Sequence, residues 1–545
     1  PGGPLPTFNL ADLFEVAADA LADRLAVVAG DVRRTYAELD ERATRVGRHL
    51  RAAGLEPGQH VAILSWNRIE WLEAMLGCFK ARLVPINVNY RYTPDELAHV
   101  LHDGDVVGLV TEAGFLPHLA EIRARLPLLR HVVVVDDGSP TDVDGAGPAV
   151  AYEAALAEAG AERDFGPRSP DDRYVLYTGG TTGAPKGVVW RGEDLFFAAL
   201  AGGNPSGPPI SRPEELAEVV VAERQPWLVT SPLMHGNGQW NSLVPLLTGR
   251  SVVLWTGRRF DPQAVAALAA AERAFLLVLI GDGMALPFVE ALEADPAAHD
   301  LSGLRVVTSG GAILSPRLKQ RLTELLPKVT IVDGFGASET GSNGRLVGTG
   351  DGSGPPRFAM GPDTTVLDDD LTPTPVGEVG RLARRGHVPL EYWKDPEKTA
   401  ATFPTDADGV RWAIPGDLAR PEADGTITLL GRGSTSINTG GEKVHPEEVA
   451  VAVKTHPDIA DAIVVGAPDE RFGQRVVAVV APRPGATPTL ESVREHLRPL
   501  LAGYKAPRQL VIADELRYTP QGKPDLRWAA DLVAAHAEVP AEAGT

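Results

Sequence analysis

A chain of 545 residues exceeds what a single hydrophobic core usually serves, so two or more domains are expected. Its apolar and charged contents, 44% and 23%, are ordinary for a globular protein, and its formal charge of −20 argues against a surface built for phosphate backbones, so no nucleic-acid partner is expected. Cys78 is the only cysteine, which excludes an intrachain disulfide and a multi-cysteine metal centre and fits a reducing, cytoplasmic setting.

In chain order, Thr35-Tyr36-Ala37-Glu38 reads as a capping box. It opens a helix whose Leu39, Ala43, Val46 and Leu50 share one face and which Gly54 closes. Residues 71–79 predict an apolar helix, which assigns Cys78 to packing rather than to nucleophilic catalysis. Tyr174-Val175-Leu176 predicts a buried strand, and residues 177–187 follow it with glycines, hydroxyls and one lysine. Such a segment suits a flexible loop that wraps a polyphosphate. Gly179, Gly180 and Gly183 let backbone N–H groups approach the anion, while Thr178, Thr181, Thr182 and Lys186 add donors and a positive charge. It is not a Walker A loop, because Pro185 precedes Lys186 and Gly187 stands where that motif needs Ser or Thr for magnesium. A Gly/Thr-rich surface turn is the competing reading of these residues alone.

Residues 202–213, rich in Gly and Pro, predict a surface excursion. No apolar run approaches the roughly 18 residues of a spanning helix. Residues 274–280 are among the longest, and the amino terminus lacks the basic-then-apolar layout of a signal peptide, so a soluble protein without a membrane span is expected. Short strands then alternate with glycine-rich turns: residues 305–308 precede Ser309-Gly310-Gly311-Ala312, and residues 330–332 precede Asp333-Gly334-Phe335-Gly336. This pattern predicts an α/β protein whose ligand loops sit at the carboxyl ends of strands. Residues 348–356 form a second low-order stretch. Around Gly431-Arg432-Gly433-Ser434 the character changes, and a helix from Pro446, strands at 462–465 and 475–480 and a helix from Thr489 make a small α+β unit. The expected division is a large domain over 1–432 and a small mobile domain over 433–545, with a hinge near Ser434.

Read together and in order, residues 177–187, 335–340, 414–417, 431–448 and 518–523 resemble the motifs of the adenylate-forming superfamily, which includes acyl-CoA synthetases, luciferases and peptide-synthetase adenylation domains. The resemblance covers nearly the whole chain. It implies ATP-dependent activation of a carboxylic acid as an acyl-adenylate, followed by transfer, with CoA as the favoured acceptor. In the second segment it implies that Phe335 stacks on adenine, with Gly334, Gly336 and Ala337 beside it. Ser338 would donate to the α-phosphate, and Glu339 would hold Mg²⁺ as catalytic and metal-binding residue. Asp333 would accept from the adenine amino group, and Gly310, Gly311 and Ala312 would line the adenine slot. Asp417 would accept from the ribose hydroxyls, although Pro415 replaces a residue that usually carries a hydroxyl. Arg432 would contact ribose or phosphates. Ser434 stands where many relatives place a charged pivot, so the usual electrostatic control of rotation is in question. Lys523 would be the catalytic cation between carboxylate and α-phosphate.

His235, within residues 231–240, falls where relatives keep an aromatic or histidine at the acyl pocket, and it is grouped with the catalytic residues; a structural histidine is the alternative. The expected partners are thus a carboxylic acid, ATP and CoA, with a homodimer as the assembly state considered. The rival readings keep the fold but change the second substrate to an amine or a carrier protein, or the first to nitrite. A nucleotide sensor would be expected to have lost Glu339 or Lys523, and both are present.

Overall fold

The capping box opens the helix Tyr36–Ala52 as read: Thr35 accepts from the Glu38 N–H, and the Glu38 carboxylate accepts from the Thr35 N–H. Leu39, Ala43, Val46 and Leu50 are buried on one face, and Gly54 follows the helix at φ +84°. That helix packs on the helix Ile69–Lys80, which buries Cys78 among apolar neighbours and pushes its thiol pKa up. The computed structural model describes residues 7–537, apart from 181–182, 221–222, 313, 348–356, 440–441, 470–471 and 520–521.

Among the described residues, three sheets organise the chain. In the largest, strands Leu25–Ala29, Val252–Leu254, Trp227–Val229, Leu276–Leu279, Val306–Gly310 and Thr330–Ala337 lie parallel in that spatial order. Antiparallel strands then extend this sheet to Thr426–Arg432 and beyond. In the second sheet, strands Val84–Asn87, His60–Leu64, Val106–Glu112 and His131–Val135 are parallel, and nearly all of their residues are buried. This is what helices on both faces require. The third sheet is separate and is built from residues 437–512. The main apolar core lies between the two large sheets around Phe14, Tyr36, Trp71, Trp190 and Phe196. Each such large apolar side chain contributes ~1.5–3 kcal/mol by leaving water.

Two expectations change in detail. Residues 177–187, expected as a flexible loop, are mostly a β-hairpin: Arg173–Gly180 pairs with Gly183–Arg191, matching Tyr177 with Gly187 and Thr178 with Lys186. Gly187 allows this, because a Cβ there would sit 2.9 Å from the Tyr177 ring. The strand expected over 330–332 runs on to Ala337 and turns back as Gly341–Val347, so residues expected as a glycine-rich turn belong to a second hairpin. Residues 181–182 and 348–356 lie outside the described residues. Among the described residues no helix is long and apolar enough to cross a membrane.

Candidate active site

Asn87 holds the first hairpin in place. Its Oδ1 accepts from the Tyr177 N–H at 2.8 Å, and its Nδ2 donates to the Tyr177 carbonyl at 2.9 Å and to the Met234 carbonyl at 2.7 Å. One buried amide therefore fixes both the root of the 173–191 hairpin and the backbone just before His235. On the other strand, Trp190 Nε1 donates to the Ser338 carbonyl at 3.0 Å and draws the 338–340 turn against the hairpin. Strand Glu391–Tyr392 adds to the same edge, pairing with Val188 and Val189. The Tyr392 hydroxyl donates to Glu339 Oε1 at 2.7 Å, and Glu339 is buried. Burial and Glu339 push the Tyr392 pKa up, so the phenol keeps its proton and remains a donor.

Arg432 and Asp417 face each other in adjacent strands, with Arg432 Nε 3.4 Å from Asp417 Oδ1. Lys523, three residues before the helix Leu526–Ala537, lies within electrostatic reach of this pair. Desolvation and then Arg432 lower its pKa, while the carboxylates of Asp417, Glu339 and Glu447 oppose that shift. Glu447 lies over Gly431, where a Cβ would meet its Cδ at 2.6 Å, and burial, seconded by Asp417, raises its pKa. Glu339, Asp417, Arg432 and Lys523 thus share one polar cleft.

The residues expected on an adenine side belong to the strands Val306–Gly310 and Thr330–Ala337 and the turn after the first of them. Gly310 ends its strand with its carbonyl 3.3 Å from Asn237 Nδ2, and Gly311 follows at φ +87° with open space where a Cβ would project. Ala312 packs against the neighbouring core. Phe335 is edge-on to Phe358, ring centroids 5.0 Å apart, and Gly334, Gly336 and Ala337 share its strand. Asp333 is buried and paired at 2.7 Å with Lys319, itself wholly buried; desolvation pushes the Asp333 carboxyl up to about 6. Contact with an adenine amino group would have to use the carboxylate edge that Lys319 leaves free.

His235 precedes the helix Gly236–Leu247. Burial, then the positive charges of Lys523 and Arg91, push its pKa down to about 3, and its Nε2 has no hydrogen-bond partner among the described residues. It is a neutral imidazole near physiological pH. Lys186 is engaged elsewhere than the cleft: its ammonium donates to Asp395 Oδ2. Thr178 lies opposite Lys186, and Gly179, Gly180 and Gly183 form the end of the hairpin, whereas Thr181 and Thr182 lie outside the described residues.

Asn87, Tyr392, Asp395, Lys319 and Glu447 were not singled out from the sequence for these roles. Asn87 carried a signal, a lone amide in the apolar strand Val84–Asn87, since a buried amide needs partners. Asp395-Pro396 marked a helix start, and Asp395 does cap the helix Pro396–Thr402, but that mark does not reveal Lys186 as its neighbour.

For magnesium the donor set is suitable. Glu339 Oε2 has no hydrogen-bond donor among the described residues, and among them no cluster of three or more His, Cys, Asp or Glu side chains forms a metal cage. Mg²⁺ ordinarily takes one or two carboxylates and completes its shell with phosphate and water oxygens.

Residues 14–393 match the AMP-binding enzyme family, and residues 448–523 match the AMP-binding enzyme C-terminal domain. The chain is 44% identical over 540 residues to the 3-oxocholest-4-en-26-oate–CoA ligase of Rhodococcus rhodochrous, covering 96% of this chain and 95% of that one. It is likewise 44% identical over 535 residues to the medium/long-chain-fatty-acid–CoA/3-oxocholest-4-en-26-oate–CoA ligase of Mycolicibacterium smegmatis, with 96% of each covered. Among solved structures it superposes on the anthranilate CoA ligase AuaEII with anthranoyl-AMP bound, at TM-score 0.82 and 25% identity over 98% of this chain and 99% of that one. ATP-bound MatB from Rhodopseudomonas palustris follows at TM-score 0.80 and 26% identity, over 96% and 98%. The chain belongs to the AMP-binding enzyme family. The family and the α/β fold agree with what the ordered motifs implied.

Proposed function

We propose that this protein is an ATP-dependent, AMP-forming acid–CoA ligase for a medium- to long-chain fatty acid or a carboxylated sterol side chain. The observation that carries this reading is the 44% identity, over nearly the full length of both chains, to ligases whose names specify those acids. The cleft supplies the means. Two anions, the substrate carboxylate and the ATP α-phosphate, must meet, and Lys523 and Arg432 bring positive charge to a site where Glu339 and Asp417 are the acceptors.

In this reading Lys186 leaves Asp395 to hold the outer phosphates, Asp417 accepts from the ribose hydroxyls, and Arg432 steadies the sugar–phosphate. Glu339 would hold Mg²⁺, which supplies charge neutralisation along the triphosphate. Ser338 donates to the α-phosphate, and Phe335 with Gly310, Gly311 and Ala312 borders the adenine. Lys523 stands between carboxylate and α-phosphate while pyrophosphate leaves, and CoA thiol then attacks the acyl carbonyl and releases AMP. Neutral His235 borders the acyl pocket; its unpartnered Nε2 and absence of charge suit a positioning role beside an uncharged thioester carbonyl. Residues 433–545 act as a mobile domain hinged near Ser434, and the enzyme works in the cytoplasm.

The test is ATP–pyrophosphate exchange over a panel of medium- and long-chain fatty acids, sterol side-chain acids, aromatic acids and nitrite, followed by product mass spectrometry with and without CoA. Exchange with the first two groups and a CoA thioester as product is expected. Exchange confined to aromatic acids or nitrite, or a product formed without CoA, would overturn it.

A further inference from the structure

The small carboxyl-terminal unit meets the large one through a buried chain of charges that leads to the segment carrying Lys523. Lys454, at the end of the helix Pro446–Val453, donates to Asp282 Oδ2 at 2.8 Å across the interface and lies 2.9 Å from Asp461 Oδ1 within its own unit. All three side chains are nearly fully buried. Asp282 is held on its other oxygen, where Oδ1 accepts from the Ser315 N–H at 2.7 Å. Asp461 Oδ2 in turn accepts from the Tyr518 hydroxyl at 2.5 Å, and Tyr518 begins the segment that ends at Lys523.

Sterics repeat the same connection. Gly283, in the first turn of the helix Gly281–Ala294, sits so close to that segment that a Cβ would lie 2.8 Å from the Tyr518 ring and 3.0 Å from the Gly522 carbonyl. Gly522, at φ +71°, has its own missing Cβ 2.8 Å from the Ile280 carbonyl. Two glycines and one ion chain thus seat the lysine segment on the turn that follows strand Leu276–Leu279. Opposing this contact, Arg317 and Arg321 of the large unit and Arg483 of the small one line the same interface cavity. Arg321 is paired with Glu293; burial lowers the pKa of both Arg317 and Arg483, seconded by the charge of Arg483 at Arg317 and by that of Arg321 at Arg483.

We propose that Lys454 is a positioning residue for the first half-reaction: its bond to Asp282, with the Gly283 seat, latches the small unit in the orientation that delivers Lys523, and its release frees that unit for the second step. A cross-interface ion pair suits such a device. Removing one partner leaves a buried charge uncompensated, so the latch is strong when closed, yet water can solvate both ends once the units part. The arginines on either side of the cavity bias the opened state. This inference rests on the two-step ligase reading for its kinetic consequence, whereas the latch itself is a statement about orientation.

The test combines two readouts on the full chain. In the first, Lys454→Met and Gly283→Ala are each expected to lower ATP–pyrophosphate exchange at least about tenfold, the equivalent of losing about 1.4 kcal/mol of positioning, and to leave thioester formation from supplied acyl-adenylate within about twofold. Lys454→Arg should recover part of the exchange. Gly283→Ala guards against a trivial folding defect, since alanine favours a helix over glycine and the large unit should melt no earlier. In the second, Leu286→Cys and Ala460→Cys, which line the interface cavity from opposite units, are joined by a short bismaleimide; the buried Cys78 does not compete. Lys454→Met in that background should slow cross-linking about tenfold, without any substrate present. Equal loss of both half-reactions, or an unchanged cross-linking rate, would overturn the latch. If the unsubstituted protein exchanges with no acid, the ligase reading fails, and the cross-linking comparison still decides the latch.

Discussion

Lys186 and Asp395 form an ion pair between the 173–191 hairpin and the N-cap of the helix Pro396–Thr402. In the proposed reading the lysine that would hold ATP is stored on a carboxylate, and the triphosphate would have to take it over. Asp395→Asn separates the two roles of that carboxylate, because asparagine caps a helix about as well as aspartate. An exposed pair of this kind is worth about 1 kcal/mol at most, so the KM for ATP is expected to fall by up to about fivefold with little change in kcat or Tm. Lys186→Met should raise that KM about tenfold or more, since it removes a charged donor from the phosphates. Steady-state kinetics of the pair checks both, and a raised KM in Asp395→Asn would show that the aspartate helps ATP rather than competing with it.

Lys523 carries the sharpest kinetic expectation. It is the cation that shares the cleft with Arg432, Asp417, Glu339 and Glu447, so Lys523→Ala should lower acyl-adenylate formation about 100-fold or more, the scale seen when a preorganised charge-stabilising donor is lost. Thioester formation from supplied acyl-adenylate should be largely spared. Single-turnover assays of each half-reaction decide it, and equal losses would refute the assignment.

The elements on which the candidate site residues sit were legible because their residue types are constrained locally. Gly310 ends a strand and Gly311 follows it, the capping box at Thr35 marks a helix start, and the change of pattern near Gly431 separates the third sheet from the others. Hydrogen-bond partners far apart in sequence were not legible. Lys186 meets Asp395 at a separation of 209 residues and Asn87 meets Met234 at 147, distances over which periodicity and turn chemistry carry no information. The hairpin over 177–187 was hidden for a different reason. Glycine and proline lower strand propensity, but here Gly187 makes room for Tyr177, and tertiary packing overrides the local preference.

Glu339 and Tyr392 make the magnesium assignment testable. With Oε1 occupied by the Tyr392 hydroxyl, Oε2 is the oxygen left for a metal. Glu339→Gln should raise the magnesium concentration for half-maximal exchange about tenfold and lower the rate at saturation. Tyr392→Phe, which keeps the carboxylate but removes its orienting hydrogen bond, should shift the requirement by a smaller factor, about threefold. Magnesium titrations of ATP–pyrophosphate exchange measure both, and an unchanged requirement in Glu339→Gln would sink the metal role.

His235 predicts how stability responds to acid. Its folded-state pKa of about 3 lies below the ordinary value of 6.5, mainly through burial, so between those values the unfolded chain binds a proton that the folded protein excludes. Stability attributed to this group is therefore fully present above pH 6.5 and is lost progressively as pH falls toward 3, with a slope approaching about 1.4 kcal/mol per pH unit. Asp333 acts in the opposite sense over part of that range. Its carboxyl is raised to about 6, so between 3.8 and 6 the folded state holds the extra proton, and acidification there relieves a cost. The two effects oppose each other near pH 5, and only the histidine's remains below the ordinary carboxyl value. Denaturant unfolding at pH 7, 5 and 3.5 should therefore show a shallow loss followed by a steeper one. In His235→Gln the steeper limb should flatten, and in Asp333→Asn the shallow limb should steepen. An acid limb identical in His235→Gln and the unsubstituted protein would mean that the imidazole is protonated in the folded state, and its assignment as a neutral group at the acyl pocket would fall with it.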